Sequence, residues 1–160
     1  MTTLTNTDSK FLAEAFSQAK LGYEEGGVPV GAVMIKNGRL LASGRNRRVQ
    51  EDDPVLHGET DCLRQAGLQE SYDDMVMYTT LSPCMMCTGA ILKFGIKRIV
   101  VGEDHNFKGN IDFLRKNGVE VILADDKDCR HLMGKFIRER PDVWFEDIAG
   151  REDIPTIEHT

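Results

Sequence analysis

Residues 76–94 read VMYTTLSPCMMCTGAILKF and contain the pattern of a strand, a short connection and the start of a helix with two cysteines. The β-branched and aromatic residues of 76–80 predict a buried strand, 81–83 a short connection, and 84–94 a helix. Cys84 and Cys87 stand at the predicted start of that helix, where two sulfur atoms can reach one metal ion and the helix terminus favours the thiolate form. By itself, this C-x-x-C spacing is equally typical of a redox-active dithiol.

Outward from this stretch, strands and helices alternate. Upstream, apolar residues at helical spacing predict a helix over 8–25, and the Asn37-Gly38 turn predicts a hairpin of strands 30–36 and 39–44. A polar loop over 46–54 leads to a second helix over 57–66. Downstream, the patterns predict strands over 98–102 and 119–123, helices over 111–117 and 127–138, and a last segment that restarts at Pro141. This alternation predicts an α/β fold of three layers, with helices on both faces of a mixed sheet.

The composition fits one domain. The chain has 160 residues, of which 41% are hydrophobic, which is enough for a single core. We place the domain at residues 1–149 and expect a flexible tail over 150–160. The formal net charge of −6 argues against a strongly basic nucleic-acid-binding protein. No apolar run approaches the ~18 residues that span a bilayer, and the N-terminus lacks a basic segment followed by an apolar one, so we predict a cytoplasmic location without a membrane partner.

A second motif, His57-Gly58-Glu59, changes the interpretation of the two cysteines. One histidine and two cysteines form a three-ligand zinc site with an open fourth position, which is the catalytic type, and Glu59 is then placed to carry protons. A separate dithiol and a closed structural zinc site are the alternatives. The latter needs a fourth ligand, and Cys62, five residues beyond His57, lies about 140° round a helix on a different face. H-x-E followed by P-C-x-x-C is the signature of zinc deaminases.

Several longer stretches carry a resemblance to a known family. They read LGYEEGGVPVG, LHGE, YTTLSPCMMCTGAI, GIKRIVVGE, NFKG and RPDVWFEDI, in this order between Leu21 and Ile148. With them, the chain resembles the cytidine-deaminase-like superfamily, and within it the fungal type of cytosine deaminase. The resemblance implies a five-stranded mixed sheet between helices, one catalytic Zn²⁺ per subunit and a homodimer.

The resemblance also implies roles for individual residues. His57, Cys84 and Cys87 are the expected zinc ligands, and Glu59 is the expected catalytic proton carrier. Polar contacts to a substrate are expected from Asn46, the Gly58 backbone N–H, the Ser82 carbonyl and Asp147, and apolar walls from Val30, Phe107, Trp144 and Phe145.

Chemistry supports a small substrate. The Asp147 carboxylate only accepts hydrogen bonds, so it favours a free base that carries a ring N–H over a nucleoside whose nitrogen carries ribose. We therefore expect conversion of cytosine to uracil and ammonia. Creatinine, isocytosine and guanine remain alternative substrates, as does adenosine in tRNA, and a zinc-stabilised binding module without catalysis is a further alternative.

Three features depart from the fungal pattern. Arg45 precedes Asn46 where that family usually has a histidine, Asp52-Asp53-Pro54 makes the approach to His57 more acidic, and residues 150–160 extend the chain. These three departures leave the predicted zinc chemistry unaffected. Arg45, however, leaves open how the loop positions Asn46.

Overall fold

The structure, a computed structural model, describes residues 3–148 as a mixed sheet between helices. The helices are α1 (Asn6–Glu24), α2 (Arg48–Glu51), α3 (Gly58–Ala66), α4 (Met85–Phe94), α5 (Ile111–Lys116), α6 (Lys127–Glu139) and α7 (Pro141–Asp147). The strands are β1 (Gly31–Lys36), β2 (Arg39–Arg45), β3 (Met75–Leu81), β4 (Arg98–Glu103) and β5 (Glu120–Leu123). The predicted tail over 150–160 lies outside the described residues.

The strand order confirms the predicted α/β fold with a five-stranded mixed sheet. The order is β2-β1-β3-β4-β5, with β1 antiparallel to β2 and β3, and with β3, β4 and β5 parallel. The hairpin turns at Asn37 and Gly38, which both have positive φ, as a tight turn of this kind requires. Helices α4 and α5 make the crossovers between the parallel strands, because such strands cannot be joined by a tight turn.

The three inner strands β1, β3 and β4 are buried on both faces because their side chains alternate between two apolar clusters. In β1, Val33 and Ile35 face the cluster that contains Phe11 of α1. Ala32 and Met34 face the opposite cluster, which contains residues of α3, α4 and α5. A third apolar cluster packs α6 and α7 against the segment before β1 and the end of β3.

An ion pair between the buried Asp8 and the half-buried Arg98 holds α1 against the sheet. Asp8 belongs to a capping box with Thr5 at the start of α1, and its carboxylate accepts two hydrogen bonds from Arg98 at 2.8 and 2.9 Å. The Tyr78 hydroxyl donates a further bond at 2.7 Å. Arg98 holds the pKa of Asp8 well below its ordinary value, against the opposing effect of burial. This network links the first helix to two strands of the core.

One predicted loop contains a short helix. The segment over 46–54 lacks apolar periodicity, yet Arg48–Glu51 forms α2, because the Asn46 side chain accepts the Arg48 backbone N–H at 3.0 Å and starts the turn. The other predicted helices and strands are found where the patterns place them. In the described part of the chain, no helix is both long enough and apolar enough to cross a membrane.

Candidate active site

Three segments that carry predicted site residues meet at one end of the sheet. Because β1 is antiparallel to both neighbours, the start of β1 lies beside the ends of β2 and β3. The Asn46 backbone N–H, just after β2, donates to the Val30 carbonyl at 2.9 Å. The Ser82 backbone N–H, just after β3, donates to the Glu103 carbonyl at 2.9 Å. Val30, Asn46 and Ser82, which are 16 to 52 positions apart in sequence, thus lie at the same end of the sheet.

The predicted metal ligands lie together beside this edge. His57 caps the N-terminus of α3 and Cys84 caps that of α4, and the two helices are in contact. His57 Nδ1 lies 3.4 Å from Cys84 Sγ and 3.7 Å from Cys87 Sγ, and all three donor atoms lie within 4.8 Å of one another. One imidazole and two thiols in this arrangement fit Zn²⁺, which prefers nitrogen and sulfur ligands in tetrahedral geometry.

Other cysteines do not join this cluster. Cys62 is fully buried and its thiol contacts the Ala42 carbonyl at 3.6 Å, and Cys129 is buried beside Gly102. Burial raises the pKa of both thiols, which disfavours the thiolate that a metal needs. Among the described residues, His57, Cys84 and Cys87 are the one group of three that could hold a metal. Residues 3–148 therefore do not form a closed four-ligand site.

The negatively charged groups in the cluster favour a bound cation. The hydrogen bond from Cys87 lowers the pKa of Cys84 to about 4, and His57 contributes to the same effect. Burial opposes protonation of His57, yet the Asp147 carboxylate and Cys84 raise its pKa to about 10. The Cys84 thiolate and the Asp147 carboxylate therefore stabilise a positive charge between them, at the place where a metal ion would be bound.

Asp147 supports His57 from the other side of the imidazole ring. Asp147 Oδ1 lies 3.4 Å from His57 Nε2, while Nδ1 faces the cysteines. A carboxylate on the second nitrogen fixes the orientation of a metal-binding imidazole and makes it a better ligand. Asp147 therefore connects α7 with the candidate metal centre.

Glu59 is placed to exchange protons beside the ligands. It lies in the first turn of α3 and is 3% exposed. Burial, followed by the charge of Cys84, raises the pKa of its carboxyl group to about 7. A carboxyl group near neutrality can both take up and release a proton, as a general acid and base must.

A cavity of about 50 Å³ joins these groups. Measured in the same way, one water molecule needs at least about 10–15 Å³, so the cavity holds a few waters or one small planar ring. Phe107 and Trp144 meet edge to face in its wall, with ring centroids 6.1 Å apart. The lining comprises Val28, Val30, Asn46, His57, Glu59, Leu81, Ser82, Cys84, Phe107, Trp144, Asp147 and Ile148.

Two polar residues of the lining have one free function each. Asn46 is 2% exposed, and its Oδ1 already accepts the Arg48 backbone N–H, so its amino group is the donor left for a ligand. The Ser82 hydroxyl donates to the Lys108 carbonyl at 2.8 Å and its backbone N–H is also used, which leaves its carbonyl as an acceptor. The cavity thus offers a donor and two acceptors, counting Asp147.

Two predicted contact residues do not line the cavity. Phe145 is 61% exposed, so the geometry does not support it as a wall of this cavity. Gly58 is buried, and a Cβ there would lie 3.1 Å from the Val30 carbonyl, so its backbone packs closely behind the wall. Arg45 also stays out of the cavity, because its guanidinium donates twice to Glu25 at 2.9 Å.

Sequence reasoning missed other residues around the cavity. Val28, Leu81 and Ile148 complete its apolar wall, and each is adjacent or nearly adjacent to a predicted site residue. Arg48 was also missed, although it contacts Asp147 with a separation of 3.4 Å. Adjacency in sequence could have found the three apolar residues, whereas nothing in the local pattern marks Arg48.

Comparison with known proteins relates this geometry to a family. The cytidine and deoxycytidylate deaminase zinc-binding region matches residues 5–103, which include the three ligands and Glu59. A cytosine deaminase of Candida albicans (strain SC5314 / ATCC MYA-2876) is 49% identical over 149 residues, covering 91% of this chain and 99% of that protein.

More distant relatives act on nucleic acid. A tRNA-specific adenosine deaminase of Buchnera aphidicola subsp. Schizaphis graminum (strain Sg) is 33% identical over 132 residues, covering 81% of this chain and 87% of that protein. A solved structure from a study of A-to-I editing by tRNA:A34 deaminases superposes with a TM-score of 0.68 at 26% identity, covering 78% of this chain and 99% of the other.

Proposed function

Because the chain belongs to the cytidine and deoxycytidylate deaminase family through its zinc-binding region, we propose that it removes the exocyclic amine of a free nucleobase, with cytosine as substrate. The products are uracil and ammonia. The chain is a zinc-dependent hydrolase that acts on a C–N bond of a cyclic amidine, like the cytosine deaminase to which it is 49% identical.

The carrying observation is the small cavity that contains both a proton carrier and an acceptor-only carboxylate. Glu59 and Asp147 line the same space of about 50 Å³. A single pyrimidine ring fits the scale of this cavity, whereas an attached ribose would need the place of Asp147. The size and the charge of the lining therefore favour a free base.

Substrate contacts follow from the free functions of the lining. Asp147 accepts the ring N1–H of cytosine, and the Asn46 amino group donates to the ring carbonyl. The Gly58 backbone N–H is a second proposed donor, and the Ser82 carbonyl accepts from the exocyclic amine. Val30, Phe107 and Trp144 pack on the ring, and Phe145 remains a proposed lid residue whose contact would require movement of α7.

In the chemistry, Glu59 moves two protons. Zinc held by His57, Cys84 and Cys87 would supply a Lewis acid that lowers the pKa of a water to ~7. Glu59 takes one proton from the attacking water and passes it to ring nitrogen N3, as the water oxygen adds to C4. It then passes the remaining hydroxyl proton to the amine. The C–N bond breaks, ammonia leaves, and a carbonyl remains at C4.

The test is ammonia release by the zinc-loaded protein from cytosine, cytidine, isocytosine, creatinine, guanine and adenine. Glu59→Ala serves as the blank. We expect release from cytosine and none from cytidine. Release only from another heterocycle would place the error in the contacts of Asn46 and Asp147, and release from none of them would contradict the proposal.

Adenosine in tRNA is the second candidate, since two of the similar proteins carry that activity in their names. The formal net charge of −6 favours the free base, because binding of tRNA needs a basic surface and weakens steeply with salt. We expect kcat/KM for cytosine to change less than about 2-fold between 50 and 200 mM salt, whereas binding with 6–10 phosphate contacts would weaken about 10³–10⁵-fold.

We also propose a homodimer in the cytoplasm, with a role in pyrimidine salvage. Met85 and Met86 in the first turns of α4 are 40% and 37% exposed, and Gly89 one turn further has open space beside it, so this side of α4 is an apolar surface that a second copy can cover. The four cysteines are free thiols, which suits a reducing compartment. Sedimentation equilibrium should give twice the 18.0 kDa mass of one chain, and a single-chain mass would contradict the dimer.

A further inference from the structure

Arg48, at the start of α2, has a guanidinium group that the proposed chemistry does not use. Its side chain is 12% exposed although it carries a full positive charge. NH1 and NH2 donate to the two oxygens of Glu146 at 2.7 and 3.1 Å. Nε is buried and has no hydrogen-bond partner among the described residues. Buried donors of this kind are rare and call for an explanation.

Arg48 Nε, although it makes no hydrogen bond among the described residues, lies close to the carboxylate that we assign to substrate recognition. Nε lies 3.4 Å from Asp147 Oδ1, the same oxygen that lies 3.4 Å from His57 Nε2. The Asp147 side chain is 9% exposed, so its negative charge has little contact with water and depends on nearby positive charge. Arg48 therefore supplies a positive charge that stabilises the Asp147 carboxylate and attracts its Oδ1 in a fixed direction.

Arg48 also fixes the second polar contact residue. Its backbone N–H donates to Asn46 Oδ1 at 3.0 Å, which turns the Asn46 amino group toward the cavity. One residue thus holds the donor through its backbone and the acceptor through its side chain. Glu146, the neighbour of Asp147 on α7, receives the fork of the guanidinium and keeps Nε at Asp147.

From these contacts we infer that Arg48 is a positioning residue, which orients the Asp147 carboxylate to accept the ring N–H of a free base. The inference rests on the proposed function. It makes Arg48 a determinant of substrate selectivity that touches neither the base nor the metal ligands. A residue that merely stabilises α7 would affect all substrates equally, and this difference makes the inference testable.

The experiment compares cytosine with 1-methylcytosine, which lacks the ring N1–H. We expect Arg48→Met to lower kcat/KM for cytosine about 10- to 100-fold, the range for loss of a hydrogen bond to a charged group. The value for 1-methylcytosine should stay within about 3-fold, so the ratio of the two falls. Arg48→Lys keeps the positive charge but lacks the paired donors of the guanidinium, so it should lower the ratio by an intermediate factor. This variant replaces Arg48→Met in the test if the methionine variant fails to fold.

Arg45→Met is the matched control. Arg45 is 16% exposed and forms its own paired contact with Glu25, outside the cavity. It should keep the wild-type ratio of the two substrates. Emission of Trp144, the single tryptophan of the chain, reports whether α7 remains in place in each variant.

An unchanged ratio in Arg48→Met, or an equal fall for both substrates, would overturn the positioning role while leaving the proposed function intact. Absence of cytosine turnover in the wild type would instead overturn the proposed function. In that case crystal structures decide about Arg48: Asp147 should leave His57 in Arg48→Met and stay in Arg45→Met, and an undisturbed Asp147 in both would refute the inference.

Discussion

Glu59 is both buried and close to the metal ligands. It is almost fully buried, and burial raises its pKa to about 7. It also lies two residues after a metal ligand, on the first turn of a helix whose N-terminus is aimed at the cavity. Proximity to the ligands and a balanced affinity for protons are the two requirements for the proposed transfers.

We predict that Glu59→Gln lowers kcat for cytosine about 10²–10⁴-fold, the usual contribution of a general acid and base. The zinc content should remain at one ion per chain, since the three ligands are unchanged. Ammonia release and metal analysis of the same sample provide the two measurements. Turnover near the wild-type rate, with zinc bound, would remove Glu59 from the mechanism.

Asp147 provides the second prediction for a single residue. Asp147→Asn replaces an acceptor-only group with an amide, whose amino group would oppose the ring N–H of the base. We expect kcat/KM for cytosine to fall about 10- to 100-fold. Asp142→Asn is the control on the same helix, because the Asp142 side chain is 74% exposed, and it should stay within about 2-fold. A similar loss in both variants would contradict the role of Asp147.

The residues that could be predicted from the sequence are those whose chemistry fixes both residue type and spacing. His57, Glu59, Cys84 and Cys87 meet that condition, and the structure brings them together. Arg48 does not meet it, because its partner Glu146 lies 98 positions further along the chain. Only the packing of α7 beside α2 reveals that contact.

Among the elements, the predicted strands and longer helices agree with the structure because each has a clear apolar period and a turn at its end. The segment over 46–54 was expected to be a loop, since four residues of helix show no period. Its turn is started by the Asn46 side chain. Apolar periodicity therefore does not predict this four-residue helix, which depends on one local side-chain contact.

The loop between β4 and α5 supports the site through Gly109. This residue has a φ of +60°, and a Cβ there would lie 2.1 Å from Ser82 Oγ and 2.8 Å from the Pro83 carbonyl. We predict that Gly109→Ala displaces Ser82 and lowers kcat/KM at least about 10-fold. The free energy of unfolding should fall by more than about 1 kcal/mol, which is the cost of the positive φ alone.

Gly118→Ala is the matched control for that loop. Gly118 also has a positive φ, of +86°, but nothing lies within 4 Å of the Cβ position. Gly118→Ala should lower the free energy of unfolding by about 1 kcal/mol, measured by urea denaturation. The kinetics of ammonia release should be unchanged. Equal stability and equal activity of the two variants would show that the contact with Ser82 is not restrictive.

For the whole molecule, the network of Asp8, Tyr78 and Arg98 joins the first helix to the middle of the sheet. Tyr78 and Arg98 lie 70 and 90 positions after Asp8 in the sequence. Arg98 lowers the pKa of Asp8 in the folded state below the ordinary value of 3.8, so the folded protein binds the proton of this group more weakly than the unfolded chain does. The stabilisation is therefore complete well above pH 3.8 and is lost as the pH falls below it.

We predict that Asp8→Asn lowers the free energy of unfolding by about 1.5–3 kcal/mol at pH 7, because it weakens charge-assisted hydrogen bonds while Arg98 keeps Glu120 as a second partner at 3.1 Å. The difference from the wild type should shrink as the pH falls from 5 to 2.5, in urea denaturation at each pH. Zinc is also released in acid, but that loss is common to both proteins and cancels in the difference. Glu14→Gln, at an exposed position of the same helix, should give no such trend. Protonation of Asp8 in the wild type removes only the contribution of its ionised form. A difference in unfolding free energy that stays constant with pH would therefore show that the contact acts through packing and capping.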